Sequence, residues 1–316
     1  MALLIDIGLS GWIDEEELAN QIRTYLSRSG FSDDVVRTNA SIGNPEDITM
    51  MAVSNLGGDR PAQFPNLALV QKLGAGVETI VTHPALPPQV RVTRLRPDEP
   101  AREIAEWFLA YILRTQRNMD AHSAAQRNSE WEPIEPRSTP ATTVGVLGLG
   151  TIGNRTARML HSVGFRVKGW SRSPKAIEGV DCMHGEEGLS AILRDSDFLC
   201  AILPSTQETR GLMGMENLGR MKSGAVLLNA GRGDLVDEPA LLRVLDTGPV
   251  AHAVLDVVQR EPLPAGDPLW MHPKVTITPH VSGWHLGDAL GDVAENYRRL
   301  SAGKPLLHEV DRKRGY

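Results

Sequence analysis

The chain has 316 residues, 41% apolar and 23% charged, with a formal net charge of −6. That is more chain than one hydrophobic core of up to ~250 residues usually organises, so two domains are expected. The acidic balance, without any basic block, argues against a nucleic-acid partner, and no run approaches the ~18 apolar residues of a membrane span.

In chain order, the amino terminus MALLIDIG has no basic residues ahead of its apolar stretch, the wrong shape for a secretory signal. Its ALLIDIG reads as a buried first strand. Asp14 and Glu17 have the spacing of a capping box, after which Leu18, Ile22, Tyr25 and Leu26 share one helical face. The apolar runs ITMMAV, LALVQKLG and VRVTRL follow between polar or Gly/Pro-rich joints, giving a small α/β domain over about 97 residues. RPDEP breaks the chain, and Ile104, Trp107, Phe108, Tyr111 and Ile112 then repeat as a core helix. From Asn118 to Thr143 the sequence is polar and irregular, a long loop of the kind that meets a ligand or partner; a plain surface loop is the alternative.

From Thr142 the pattern becomes strand, helix, strand: TVGVLGLG, RVKGW, DFLCAILP, AVLLNAG, VAHAVLDV and VTITPH, separated by helical segments. Apolar runs without strict alternation predict a parallel sheet covered on both faces. Leu290, Val293, Ala294, Tyr297 and Leu300 form a last amphipathic helix, and KPLLHEV a closing strand or extended tail. The only cysteines, Cys182 and Cys200, lack CxxC spacing and suit a reducing compartment, so a cytoplasmic location is expected.

Gly148, Gly150 and Gly153 make a GxGxxG directly after an apolar strand, with Thr151 and Ile152 opening a helix that Gly164 closes. In that context the first glycine allows a tight turn and the second admits a pyrophosphate to the backbone. The third permits close helix–strand packing, and the helix amino terminus favours the negative charge. About twenty residues further on, NAD-binding turns carry an acid for the ribose hydroxyls. Here GWSRSPK offers Ser171, Arg172, Ser173 and Lys175, with no acid until Glu178. A guanidinium and two hydroxyls suit a 2′-phosphate, so NADP(H) is expected over NAD(H); a solvated basic turn is the competing reading. No GxxxxGK[ST] occurs, which excludes a P-loop enzyme.

Three further strand ends bear chemistry. NAGRG places Arg232 past one strand, LDVVQREPLP places Asp256 and then Glu261 past another, and VTITPHVSG places His280 past a third, between the stiffening Pro279 and Gly283. A guanidinium can polarise a carbonyl oxygen and clamp an adjacent carboxylate, and a protonated histidine oriented by a carboxylate can supply the proton. That set suits reduction of a 2-oxo acid by hydride transfer. His285 is a rival for His280.

The motifs GLGTIG, WSRS, LP…T…T, NAGRG, DVVQREPLP and ITPHVSG together resemble the D-isomer-specific 2-hydroxyacid dehydrogenase family. WSRS and the ending VDRKRGY are most similar to its NADPH-dependent glyoxylate/hydroxypyruvate reductases. The resemblance implies an α/β fold of two Rossmann-like or flavodoxin-like domains with doubly wound parallel sheets. It divides the chain into a discontinuous substrate-binding domain, 1–97 and 286–316, and a dinucleotide-binding domain, 98–285. It implies His280 as acid/base, Glu261 as its partner and Arg232 as substrate clamp, with Trp284 near the substrate. The backbone amides of Gly76 and Val77, in KLGAGVETI, would bind the substrate carboxylate; from the residues alone, Gly74-Ala75-Gly76 is a tight turn able to cup an anion. Asp256 would contact the nicotinamide carboxamide, Leu203, Pro204 and Thr209 the adenosine side, and Ala230 the cofactor. No metal is implied. The implied assembly is a homodimer through the nucleotide-binding domain and the 118–143 arm, acting on a small 2-oxo/2-hydroxy acid. The chain departs from the family at Glu78, usually Asp, at Trp284-His285, and in lacking both a tryptophan in MMAVSNLGG and a glycine in PDEPAREIAE. A dinucleotide-sensing corepressor of the same fold is the alternative from another functional class. An NAD-dependent enzyme of the phosphoglycerate type would need a ribose-binding acid that this turn lacks.

Overall fold

The computed structural model describes residues 1–8, 14–95 and 98–312. Arg96 and Pro97 of the predicted chain break, and the last four residues of VDRKRGY, lie outside them. The chain forms two compact units, Met1–Glu99 with His285–Tyr316, and Pro100–Trp284. Among the described residues no helix is long and apolar enough to cross a membrane.

In the first unit, strands β1 (Ala2–Asp6), β2 (Val36–Arg37), β3 (Ile48–Val53), β4 (Leu69–Lys72) and β5 (Arg91–Arg94) pair in parallel in the order β2-β1-β3-β4-β5. This is the flavodoxin-like doubly wound order. Helix α1 (Glu15–Ser27) starts where Asp14 Oδ1 accepts the amides of Glu16 (2.8 Å) and Glu17 (3.1 Å), satisfying two donors that a helix start leaves unpaired. Its Leu18, Ile22 and Leu26 pack with Leu3, Ile5 and Met50 and with Val293 and Tyr297 of the carboxyl-terminal helix Leu290–Ser301. Leu4, Met51, Val53 and Val70 join Phe64, Ile80 and Leu86 in a second cluster. A short helix α2 (Glu78–Val81) follows the KLGAGV turn.

The segment expected as a closing strand makes a single antiparallel bridge, Thr93 with Glu309, and Val310 N donates to Val92 O. What fastens it is a buried polar cluster: Gln71 Oε1 accepts from Thr93 Oγ1 (2.6 Å) and Asn296 Nδ2 (2.7 Å), and Asn296 Oδ1 accepts Leu307 N (2.7 Å). Fully paired, such a group fixes one register of the returning chain.

Helix α3 (Asp98–Gln116) carries the chain from the first unit into the second and is followed by α4 (Met119–Arg127). The sheet of the second unit contains β6 (Thr143–Leu147), β7 (Arg166–Ser171), β8 (Val180–His184), β9 (Phe198–Ala201), β10 (Ala225–Asn229), β11 (Val250–Leu255) and β12 (Val275–Ile277). All pair in parallel, in the order β12-β11-β10-β9-β6-β7-β8. This is the dinucleotide-binding order, with the reversal between β6 and β9 and one strand added at the far edge. Alternate strand residues point to opposite faces. Leu147, Leu199, Leu227 and Leu255 meet α6 (Gly185–Asp195) and the helix Glu238–Thr247, while Val146, Cys200, Leu228 and Val254 meet α3 and α5 (Thr151–Val163).

The sequence pattern does not disclose β8, whose VDCMH is half exposed and mixed in polarity. Residues 118–143, expected to be irregular throughout, include the nine of α4, a helix without a buried residue. Trp131, beyond that helix, is 98% exposed.

Candidate active site

In a parallel sheet every strand ends at the same edge, so the residues that follow the strands of the second unit collect there. Gly148, after β6, has a left-handed φ of 102°, and a Cβ on it would meet Ile202 O at 2.7 Å. A Cβ on Gly153 would lie 1.7 Å from Gly148 O, so only glycine lets α5 approach its strand this closely. Around Gly150 the equivalent position has nothing within 4 Å. Gly150 is the N-cap of α5, with Thr151 and Ile152 as the first helical residues and no side chain capping the end. An open glycine at an uncapped helix start, between two glycines dictated by packing, is a cradle that fits a pyrophosphate.

Beyond β7, the last strand residue Ser171 is 9% exposed and its hydroxyl donates to Ser173 O (2.8 Å). That bond shapes the turn and leaves Arg172 and Ser173 exposed. Past β9, Leu203 is buried and Pro204 exposed, and Thr209 folds its loop back by donating to Pro204 O (2.6 Å) and accepting Thr206 N (2.8 Å). Thr206 above all, and also the charge of Arg172, hold the exposed Glu208 carboxyl below its ordinary value. Arg172 is thus electrostatically close to the loop that carries Thr209.

After β10, buried Ala230 leads to Arg232. Asn229 braces the turn: its Oδ1 accepts Gly231 N (3.1 Å) and its Nδ2 donates to Arg232 O (3.0 Å). Gly233 packs so tightly that a Cβ would lie 2.0 Å from the carbonyl carbon and oxygen of Val258. The NAGRG turn and the DVVQREP loop are therefore in backbone contact. That contact brings Arg232 toward Glu261, whose carboxyl feels its charge.

Glu261 Oε2 lies 2.7 Å from His280 Nδ1, and Glu261 Oε1 accepts Val258 N (3.2 Å). Burial works against ionisation of Glu261. The bond and charge of His280, the Val258 amide and Arg232 outweigh it and hold the carboxyl below its ordinary value. An ionised carboxylate only accepts, so the Nδ1 of His280 carries the shared hydrogen and Nε2 is left for other chemistry. The His280 side chain is 53% exposed. Arg232, Glu261 and His280 thus form one group.

Asp256 is 2% exposed, and its carboxylate accepts Val281 N (2.9 Å), Ser282 N (3.0 Å) and Thr278 Oγ1 (2.5 Å). These bonds within its own chain were not legible in the sequence, and a nicotinamide contact would use the acceptor capacity they leave. Trp284, 38% exposed, closes the loop, its amide donating to Glu103 Oε2 (2.6 Å). Trp107, read from its spacing as a core residue, donates its indole N–H to Thr278 Oγ1 (3.2 Å). His285 falls in the first unit, and the histidine paired with Glu261 is His280. Among the described residues no group of three or more His, Cys, Asp or Glu could hold a metal ion.

In the first unit, Gly76 is half-buried and Val77 is buried as the residue before α2. Their turn is held by Leu95 N donating to Gly74 O (3.0 Å) and Arg94 Nη1 to Ala75 O (3.4 Å). Thr79 Oγ1 donates to Asn55 Oδ1 (2.8 Å) alongside.

Residues 109–282 match the family model described as D-isomer specific 2-hydroxyacid dehydrogenase, NAD binding domain. A glyoxylate/hydroxypyruvate reductase A from Serratia proteamaculans is 38% identical over 280 residues, 82% of this chain and 90% of that protein. A solved D-isomer specific 2-hydroxyacid dehydrogenase from Xanthobacter autotrophicus, in complex with NADPH and MES, has a TM-score of 0.89 at 39% identity over 100% of this chain and 99% of that one. An NADPH-dependent glyoxylate/hydroxypyruvate reductase from Sinorhizobium meliloti, in complex with NADP and sulfate, has a TM-score of 0.87 at 31% identity, covering 100% and 99%.

Proposed function

The chain belongs to the D-isomer specific 2-hydroxyacid dehydrogenase family, and from that membership we propose that it reduces a small 2-oxo acid to the D-2-hydroxy acid, with NADPH as electron donor and His280 as proton donor. The observation that carries this reading is the 2.7 Å pair of His280 and Glu261 at the strand edge that also holds Arg232 and the Gly148–Gly153 loop. Glyoxylate and hydroxypyruvate are the substrates favoured, because relatives at 31–38% identity bear those names.

The proposed nucleotide-binding domain is the second unit. The Gly148–Gly153 cradle would hold the cofactor, which when bound would supply the hydride that the carbonyl carbon accepts. Arg232 polarises the carbonyl oxygen and clamps the neighbouring carboxylate; Gly76 and Val77 are proposed as carboxylate-binding amides on their motif. His280 holds the proton on Nε2 and passes it to the oxygen as negative charge builds there. Glu261 fixes the ring and its tautomer and stabilises the charged imidazole. The hydroxy acid leaves with one hydride and one proton gained, and the imidazole takes a new proton from water. Arg172 and Ser173 meet the 2′-phosphate; the absence of an acid before Glu178 and the NADPH and NADP named with two neighbours support that preference. Trp284 borders the substrate, Asp256 the carboxamide, and Leu203, Pro204, Thr209 and Ala230 line the rest of the cofactor site. A cytoplasmic location is proposed from two unpaired cysteines, one of them, Cys200, fully buried with its thiol pushed up by burial.

The test is disappearance of reduced-nicotinamide absorbance with NADPH or NADH and glyoxylate, hydroxypyruvate, pyruvate or phenylpyruvate. Fast turnover of any of these with NADPH preferred is expected. Tight NADPH binding without turnover would favour the sensing protein instead.

A further inference from the structure

The loop from Thr278 to Trp284 carries His280, and its contacts reach back to α3. His280 has a φ of 57°, in the left-handed region that a residue with a side chain rarely adopts. Such a conformation persists only where the surroundings determine it more than once. Here Asp256 supplies that determination: its backbone O accepts His280 N (2.8 Å), and its carboxylate accepts the next two amides, Val281 N and Ser282 N. The carboxylate is itself fixed by Thr278 Oγ1, which donates to Oδ1 at 2.5 Å. Because that hydroxyl hydrogen is committed to Asp256, the lone pairs of Thr278 Oγ1 are free to accept, and Trp107 Nε1 donates to them at 3.2 Å.

One helical turn before Trp107, Glu103 Oε2 accepts Trp284 N, and Gly283 lies so near Ile104 that a Cβ would approach its side chain to 3.1 Å. Residues 103, 104 and 107 share one face of α3, which therefore grips the loop at both ends.

We propose that Thr278, backed by Trp107, is a positioning residue for proton transfer: through Asp256 it holds His280 in the left-handed turn that aligns its ring with Glu261. The proposal rests on the assignment of His280 as proton donor. The Thr278 hydroxyl bonds to Asp256 and Trp107 rather than to the His280 ring or Glu261. It acts through one carboxylate that serves three groups of the same turn.

The experiment compares Thr278→Val, Thr278→Ser and Trp107→Phe with wild type for kcat, NADPH dissociation constant and the pH profile of 2-oxo acid reduction. Valine keeps the shape of threonine and removes both its donor and its acceptor. T278V is expected to lose about tenfold or more in kcat, because a small misplacement of a reacting group is costly. NADPH affinity should change far less than kcat, and the alkaline fall of the rate should start at lower pH. T278S, which keeps the hydroxyl, should restore both, and W107F should move both in the same direction by less. Glu261→Gln is the control, since it removes the partner of His280 directly.

If E261Q moves the alkaline fall while T278V keeps the wild-type kcat and profile, the positioning role is wrong and the His280 assignment stands. A T278V that only melts earlier, with the profile unmoved, overturns the positioning role in the same way. If E261Q and His280→Ala also leave the profile unmoved, the assignment of His280 itself fails. Should T278V not fold, W107F carries the test alone, and an unmoved profile overturns the proposal.

Discussion

Glu261 concentrates the electrostatics of the site in one carboxyl. Burial pushes it toward the neutral acid, and the contacts with His280 and Val258 N and the charge of Arg232 pull it further the other way. Its proton affinity is thus lower folded than unfolded, so its contribution to stability is present above the unfolded carboxyl value and is lost as pH falls through the folded one. Glu261→Gln removes that charge. E261Q is expected to lose about tenfold or more in kcat, because the ring of His280 loses the partner that orients it; a kcat equal to wild type would mean that the 2.7 Å contact does no work in catalysis. Arg232, Glu261 and His280 were legible because each stands in a short motif at a strand end. Thr278 and Trp107 were not: a threonine beside proline and a tryptophan on an apolar helix face announce no partner, and their bond joins positions 171 apart in sequence.

Among the elements, the strands were read most surely. Their apolar runs feed two clusters per sheet, which leaves a central strand little polar character. Strand β8 escaped because an edge strand with a wet face loses that signature. Helix α4 escaped because a helix that buries nothing carries no apolar stripe. The glycines divide by what surrounds them, and two alanine substitutions should separate the classes. Gly233→Ala drives a methyl into the Val258 carbonyl, pushing apart the turns that bear Arg232 and Glu261. It is expected to destabilise by about 1–3 kcal/mol, seen as a lower melting temperature, with kcat reduced as well. Gly150→Ala meets nothing within 4 Å, so the protein without cofactor should melt like wild type while NADPH binds more weakly. Equal melting losses in the two variants would show that Gly150 too is a packing glycine.

At the scale of the whole molecule, both strand orders are forms of one doubly wound plan, and their parallel pairing follows from alternating strands and helices in the sequence. Order along the chain does not show which turns meet at the sheet edge; that depends on backbone packing such as Gly233 against Val258. Nor does sequence reveal the assembly. Trp131, at 98% exposure, and Ile134, at 38%, lie in the 118–143 arm through which we propose that two copies associate, since solvent-facing tryptophan is characteristic of contact surfaces. Light scattering should report a dimer, and Trp131→Glu should shift it toward monomer; a monomeric wild type, or a variant as dimeric as wild type, would remove the arm from the interface. The central claim, that His280 gives its proton to a 2-oxo acid reduced by NADPH, is tested most directly by the turnover of His280→Ala beside its NADPH dissociation constant. A fall in kcat of about a hundredfold or more, with NADPH bound as tightly as by wild type, is the predicted result. Turnover close to wild type would contradict it and move the proton donor elsewhere.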